Sequence, residues 1–107
     1  MVKIFHPAIV RECQGELARC AAEIQHEGGL SYVLAAHLAG SRAIRRFERM
    51  KRVVYAEMLK YRVAREQDDL SEIDASLYLS WIRAGVRIIR RLDLKIRIIH
   101  QITGRSV

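Results

Sequence analysis

Apolar residues recur at intervals of three and four along most of the chain, a pattern that predicts amphipathic helices. In the first segment, residues 7–26, the apolar stripe consists of Val10, Cys13, Leu17, Cys20 and Ile24. Pro7 suits a first helical turn, because the amide hydrogen that proline lacks has no helical partner there. Gly28 and Gly29 are expected to end the helix, since glycine adopts the left-handed cap conformation without steric strain.

A second helical region follows, and Ser31 is placed to cap it. Its first part, residues 32–39, is nearly all apolar and is predicted to be buried on most sides. Gly40 and Ser41 either interrupt the helix there or allow close packing. The stretch from Arg42 to Glu66 carries an apolar face made of Ile44, Phe47, Met50, Val54, Met58 and Tyr61, widened by Val53, Leu59 and Val63. A stripe of this width predicts packing against two neighbours.

The last segment begins after a turn at residues 67–69, where Ser71 can cap a helix over residues 72–91. Beyond residue 91 the pattern fits two structures. One apolar stripe has helical spacing and consists of Ile82, Ile89, Leu92, Ile96 and Ile99. Residues 92–98, however, alternate strictly between apolar and polar, which is the period of a strand. We favour a helix because no other segment resembles a partner strand.

The fold class predicted from these elements is all-α: a compact bundle of three to five helices whose last segment either stays helical or ends in a short strand. A length of 107 residues predicts a single domain, residues 1–107. Half of the residues are apolar and 29% are charged, which excludes a disordered tail. Trp81 is expected to anchor the core.

A second apolar stripe on the last segment consists of Ile88, Leu94, Ile98 and Ile102. A domain of this size can hardly cover both stripes, since its first helices must also bury their own faces. An uncovered patch of this kind is typical of a contact with another chain. Residues 82–102 are therefore predicted to bind a protein partner or a second copy of the chain.

The cellular compartment is predicted from the absence of targeting and membrane-spanning segments and from the expected state of the cysteines. We find neither a secretory signal nor an uncharged apolar run long enough to span a membrane. Cys13 and Cys20 lie two helical turns apart, roughly 10 Å, which is too far for a disulfide between them. Reduced core cysteines are typical of a cytosolic protein, so the expected location is cytoplasmic, or nucleoid or nuclear.

The charge pattern carries the functional prediction. The formal charge is +7, and net charges of +6 over residues 41–67 and over residues 81–107 flank an acidic stretch at 68–80. Two basic faces contain Arg42, Arg45, Arg46, Arg49 and Arg52 on one segment and Arg83, Arg87, Arg90, Arg91 and Arg97 on the other. A guanidinium group forms bidentate hydrogen bonds with phosphate or carboxylate. These faces are predicted to bind nucleic acid or an acidic protein surface.

Two other motifs share features with the basic segments. A helix-turn-helix over residues 36–52 would need apolar side chains at positions 46 and 49, where the chain has arginines. The last segment also has the character of a basic amphipathic helix, which suits an anionic membrane surface or a protein groove.

No residue pattern indicates catalysis or a cofactor. The four histidines, His6, His26, His37 and His100, are not at metal-ligand spacing to one another or to a cysteine. There is no glycine-rich phosphate loop. Glu23 and Glu27 share a helix face but are expected to be solvent-facing carboxylates. The chain is therefore predicted to be a non-enzymatic binding module without cofactor or metal.

A stretch in the middle of the chain resembles the helical domain of GINS replication-complex subunits. The residues concerned are the run from Glu48 to Tyr55, then Leu59 and Arg62, followed by Leu70 and Ser71 opening a helix that contains Tyr78. The resemblance covers roughly residues 45–80. It implies a replisome scaffold without catalysis, and thus an alternative function as a structural or assembly subunit acting through the apolar last segment.

Overall fold

The computed structural model describes residues 4–104, and this range contains three α-helices and no strand. Helix α1 spans Pro7–Gly28, α2 spans Tyr32–Arg65 and α3 spans Glu72–Thr103. The all-α prediction is confirmed, and residues 4–104 form three helices where the sequence allowed three to five.

Helix α1 is limited at both ends by local chemistry. Pro7 occupies its first turn, and the Nδ1 atom of His6 accepts a hydrogen bond from the amide of Ala8 at 3.1 Å. At the other end Gly29 has a φ of 61°, and its amide donates to the carbonyl of Gln25 at 2.9 Å. The predicted roles of Pro7 and Gly29 are confirmed, whereas the capping role of His6 was not foreseen.

Serine hydroxyls cap the other two helices, as predicted. Ser31 Oγ accepts a hydrogen bond from the amide of Leu34 at 3.4 Å, and Ser71 Oγ accepts one from the amide of Asp74 at 3.1 Å. Each bond satisfies an amide that has no partner within its own helix.

Helix α2 runs without a break through Gly40 and Ser41, which excludes a helix-turn-helix over residues 36–52. Gly40 is buried, as are the small side chains of Ala35, Ala39 and Ala43. Small residues at steps of four let a neighbouring helix approach closely. Gly40 therefore serves packing and does not end the helix.

Helix α3 continues through residues 92–98, so the strand alternative is not realised in the described chain. Leu92, Ile96 and Ile99 are 4%, 9% and 0% exposed. Their spacing of four and three places all three on one helical side. Leu92 and Ile96 fit both periods, whereas the buried Ile99 fits only the helical one.

The described chain packs into two compact units. The first comprises the described residues up to Phe47 together with those from Asp93 onward, and the second comprises Glu48–Leu92. The buried apolar side chains of the first unit come from all three helices: Ile9, Cys13, Cys20, Ala21 and Ile24; Ala35, Ala39, Ala43 and Phe47; Ile96, Ile98 and Ile99. Both cysteines are fully buried and not disulfide-bonded, as the sequence predicted.

The end of α3 is tied to α1 within the first unit. Lys95 Nζ lies 3.2 Å from Glu12 Oε2 and 5.7 Å from the ring centroid of Phe47. The thiol of Cys13 points to the carbonyl of Lys95 at 3.8 Å. The contacts of Lys95 with Glu12 and Cys13 join segments more than 80 residues apart in the sequence.

Residues 32–39 are not buried on most sides, which corrects the sequence prediction. Val33 is 77% exposed and Tyr32 is 62% exposed, and Leu34 and Leu38 are about half exposed. Only the side of α2 that carries Ala35 and Ala39 faces the core of the first unit. The remaining sides have no covering helix in that unit.

The second unit is a helical hairpin made from the end of α2 and the start of α3. Tyr61 lies 6.0 Å from Tyr78 and 4.9 Å from Trp81, measured between ring centroids. A hairpin covers one side of each helix. Val54, Met58 and Tyr61 of the apolar face predicted for α2 are half-buried, whereas the rest of that face in this unit stays open. Met50, Val53, Leu59 and Val63 are each at least half exposed. Trp81 is 40% exposed, so it is a partly covered side chain and not a core anchor.

Candidate functional site

Two of the arginines predicted to bind a partner are engaged by carboxylates of α1 in the first unit. Arg42 forms a bidentate pair with Glu27, with N–O distances of 2.8 and 3.2 Å, and its Nη1 lies 3.6 Å from Glu23. Arg46 forms a second bidentate pair with Glu23 and lies 3.6 Å from Glu16. Arg42 and Arg46 are therefore engaged within the chain, and their binding to a partner stays a prediction.

The same contacts correct the reading of Glu23 and Glu27 as solvent-facing carboxylates. Hydrogen bonds from Arg46 lower the pKa of Glu23, and hydrogen bonds from Arg42 lower the pKa of Glu27. Sequence reasoning missed the pairing because the partners lie 23 and 15 residues apart. The one available signal was that Glu23 and Glu27 share a face of α1 at a spacing of four.

This ion-pair network predicts a loss of stability in acid. Because the pKa values of Glu23 and Glu27 are lowered by folding, their contribution is complete above the ordinary value of 4.5 and disappears as the pH falls below it. We expect the urea midpoint to fall on acidification, and to fall less in the Glu23→Gln/Glu27→Gln variant. The matched control is Glu66→Gln/Asp68→Asn, two exposed carboxyls of the turn. An equally steep decline in both variants would contradict the role of the network.

Seven of the other predicted arginines are open, and the eighth contacts another residue of the chain. The open set is Arg45, Arg49, Arg52, Arg83, Arg87, Arg90 and Arg97. All seven are exposed, and none has an ion pair or hydrogen bond to another residue within 4–104. Arg91 is exposed as well, but it interacts with another residue of the chain. Arg45 and Arg97 belong to the first unit, and the other five belong to the second.

The packing of the hairpin shows how the arginines of the second unit are arranged along it. Gly85 on α3 faces Val54 and Met58 on α2. Because the two helices run in opposite directions, residues that precede Val54 lie level with residues that follow Gly85. Arg49 and Arg52 are therefore at the same end of the hairpin as Arg87 and Arg90.

On α3, Arg83, Arg87 and Arg90 follow one another at steps of four and three, so they share one face of the helix. We name Arg49, Arg52, Arg83, Arg87 and Arg90 the hairpin arginines. A guanidinium group keeps its charge at any physiological pH, so these five side chains are permanently cationic.

The opposite end of the hairpin is acidic. Glu66, Asp68 and Asp69 occupy the turn and its approach, and Glu72 and Asp74 lie in the first turn of α3. Negative charge at a helix N-terminus is favourable, because the helix dipole is positive there. The hairpin thus carries opposite charges at its two ends.

The structure buries some of the predicted protein-interface residues and leaves others exposed. Ile98 is 1% exposed and lies in the core of the first unit, which contradicts its place on an uncovered stripe. Leu94 is half-buried, and only Ile88 and Ile102 are substantially exposed, at 47% and 43%. Ile98 and Ile99 are adjacent in the sequence, and the other helices of the first unit bury both side chains. The prediction of two separate stripes assumed that only one of the two would be buried.

An open apolar groove of about 650 Å³ lies on the first unit. Its walls include Leu17 and Ala21 of α1, Tyr32 and Val33 of α2, and Ile102 of α3. The groove was not foreseen, because residues 32–39 were expected to be covered.

Between Ile4 and Gly104 no group of three or more His, Cys, Asp or Glu side chains is placed to hold a metal ion. Burial, followed by the nearby charge of Glu16, raises the pKa of the Cys20 thiol, which disfavours the nucleophilic thiolate. No helix in the described range has an apolar stretch long enough to cross a membrane. No family model, no curated protein and no solved structure matches this chain.

Proposed function

We propose that the protein binds the phosphate backbone of nucleic acid through the hairpin arginines. The observation that carries this proposal is that these five side chains are exposed and have no carboxylate partner among the described residues. Arg42 and Arg46, by contrast, are already satisfied by Glu27 and Glu23. The chain therefore uses Arg42 and Arg46 to hold its own helices together and leaves the hairpin arginines open to an external anion.

The arrangement favours a polymer of phosphates over an isolated anion. Arg83, Arg87 and Arg90 extend over about 10 Å of helix axis at 1.5 Å per residue. Phosphates of one DNA strand are spaced at about 3.4 Å along the duplex axis, so a stripe of this length spans several of them. Contacts of this type position a protein on the backbone without reading the base sequence. Binding is accordingly expected to be independent of sequence.

The test is a measurement of affinity for a labelled duplex as a function of salt. Each phosphate contact adds about −0.9 to the slope of log K against log salt. The Arg87→Ala/Arg90→Ala variant should have a slope shallower by about two, and should bind roughly ten to a hundred times more weakly at ~0.1 M salt. The matched control is Arg11→Ala/Arg19→Ala, which removes the same charge from exposed positions of α1. The control should keep the slope of the natural protein.

Two outcomes would overturn the proposal. One is the absence of salt-sensitive binding of the natural protein to any duplex or single strand of DNA or RNA. The other is binding to polyglutamate in preference to nucleic acid, with loss in the Arg87→Ala/Arg90→Ala variant. That second result would assign the same arginines to an acidic protein surface.

A role as an assembly subunit is the second candidate, and it is the role that the resemblance to GINS subunits implies. The observation in its favour is the exposure of large apolar side chains on α3. Leu77, Trp81 and Ile88 are between 40% and 47% exposed.

A further inference from the structure

The three hairpin arginines of α3 lie on the side of that helix away from α2. Gly85 faces α2, since a Cβ atom built there would contact Met58. Arg83 and Arg87 are each two positions from Gly85, and Arg90 is five positions from it. At about 3.6 residues per turn, a step of two turns about 200° around the helix and a step of five turns about 140°. All three arginines therefore lie within about 40° of the point opposite Gly85, and we name them the α3 face.

The two hairpin arginines of α2 have the same relation to the contact between the helices. Val54 faces α3, where its Cγ1 atom lies 3.5 Å from a Cβ atom built on Gly85. Arg52 is two positions from Val54, and Arg49 is five positions from it. By the same rotation both arginines lie opposite the side of α2 that contacts α3, and we name them the α2 face. The two faces therefore point in opposite directions from the hairpin.

The two faces are too far apart for one duplex to contact both. Packed helices have axes about 8–10 Å apart, and each helix with its side chains is about 10–12 Å across, so the hairpin is about 20 Å thick from face to face. The major groove of DNA is about 12 Å wide, so it admits one helix but not this hairpin. A duplex has a persistence length of about 150 base pairs, so it does not wrap around an object of this size. A duplex bound to the α3 face consequently leaves the α2 face open.

The charge and the position of the open face fit a second duplex. Neither residues 49–55 nor residues 83–91 contain a carboxylate side chain. The arginines of both faces are exposed, and none has an ion pair or hydrogen bond to another described residue. Duplexes on the two faces would be separated by about 20 Å of protein, twice the Debye length of about 10 Å at 0.1 M salt. Their mutual repulsion is therefore largely screened.

We propose that the protein binds two nucleic-acid duplexes at once, one on the α2 face and one on the α3 face, and so bridges them. The inference rests on the proposed function, because it assigns a phosphate backbone to each group of hairpin arginines. One chain is sufficient for bridging, since both faces belong to one hairpin. Contacts with phosphate do not read the bases, so the two duplexes need not share a sequence.

The test is a capture experiment with two short duplexes, one biotinylated and held on streptavidin beads and the other labelled with a fluorophore. The natural protein should retain the fluorescent duplex on the beads at ~0.1 M salt. The Arg49→Ala/Arg52→Ala variant should still bind a single duplex through the intact α3 face, with an affinity within about twofold of the natural protein. Its capture of the fluorescent duplex should fall at least about tenfold, because the second face has lost two phosphate contacts.

The matched control is Arg62→Ala/Arg65→Ala, which removes the same charge from exposed positions in the last turn of α2. The control should keep both single-duplex binding and capture. Circular dichroism should show unchanged helix content in both variants, since alanine is a strong helix former.

The experiment separates this inference from the proposed function. A natural protein that binds one duplex but captures no second one would overturn bridging and leave the proposed function intact. A protein with no salt-sensitive binding to any duplex would remove both. Undiminished capture by the Arg49→Ala/Arg52→Ala variant would also overturn bridging by the two faces, because another surface or a second copy of the chain would then hold the second duplex.

Discussion

Replacing Ile98 with aspartate should unfold the first unit. Ile98 is 1% exposed and is among the largest fully buried side chains. The change removes an apolar side chain from the core and places an unpaired carboxylate there, at a cost of about 4 kcal/mol or more. A small domain is stabilised by only about 5–15 kcal/mol in total. The expected result is a large loss of helix content at room temperature, seen by far-ultraviolet circular dichroism.

The matched control for this prediction is Ile102→Asp, one turn further along α3. Ile102 is 43% exposed, so its carboxylate would stay hydrated and the urea midpoint should change little. The sequence alone placed Ile98 and Ile102 on one partner-facing stripe, which predicts that both substitutions dissociate a complex and spare the fold. A folded Ile98→Asp variant with altered molar mass would favour that earlier interpretation over the structure.

Replacing Gly85 with leucine should separate the two helices of the hairpin. A Cβ atom built on Gly85 would lie 2.5 Å from Met58 Cγ and 2.7 Å from Met58 Sδ, and 3.5 Å from Val54 Cγ1. Leucine adds three further carbons at this closed position, so we expect a loss of about 3 kcal/mol or more in the free energy of unfolding. Alanine at the same position should cost less, because its higher helix propensity offsets about 1 kcal/mol of the strain.

Gly15 offers a matched control for the glycine prediction. It also lies inside a helix, but a Cβ atom built there has no neighbour within 4 Å. Gly15→Ala should therefore stabilise the protein by about 0.5–1 kcal/mol, measured by urea denaturation. Adding Met58→Ala to Gly85→Ala should recover part of the loss. If Gly85→Ala and Gly15→Ala were equally stabilising, the close approach of α2 and α3 at Gly85 would be excluded.

The ends of the helices could be predicted from the sequence because they depend on residues within a few positions of each other. Gly29, Ser31 and Ser71 act through bonds to amides or carbonyls at most four residues away, and Pro7 acts within the first turn of its own helix. The burial of the two cysteines could be predicted in the same way, because residues seven positions apart on one helix share a face. The all-α class rests on the same local periodicity.

Tertiary structure decided which charges are available. Arg42, Arg45 and Arg46 are of one type and lie in one turn of α2, and no local rule distinguishes them. The distinction comes from α1, which brings Glu23 and Glu27 to Arg46 and Arg42 and brings no carboxylate to Arg45. The paired residues lie 15 or 23 positions apart, whereas the helical pattern relates residues only three or four positions apart.

The sequence by itself determined the all-α class, the glycine and serine caps and the two arginine-rich stretches. Tertiary structure decided that Ile98 is buried while Ile88 is exposed, although both are isoleucines on the same helix. The physical reason is the number of neighbours: α3 meets two helices in the first unit and one in the second. Apolar periodicity shows which residues can be buried, but only the packing partners determine which of them are.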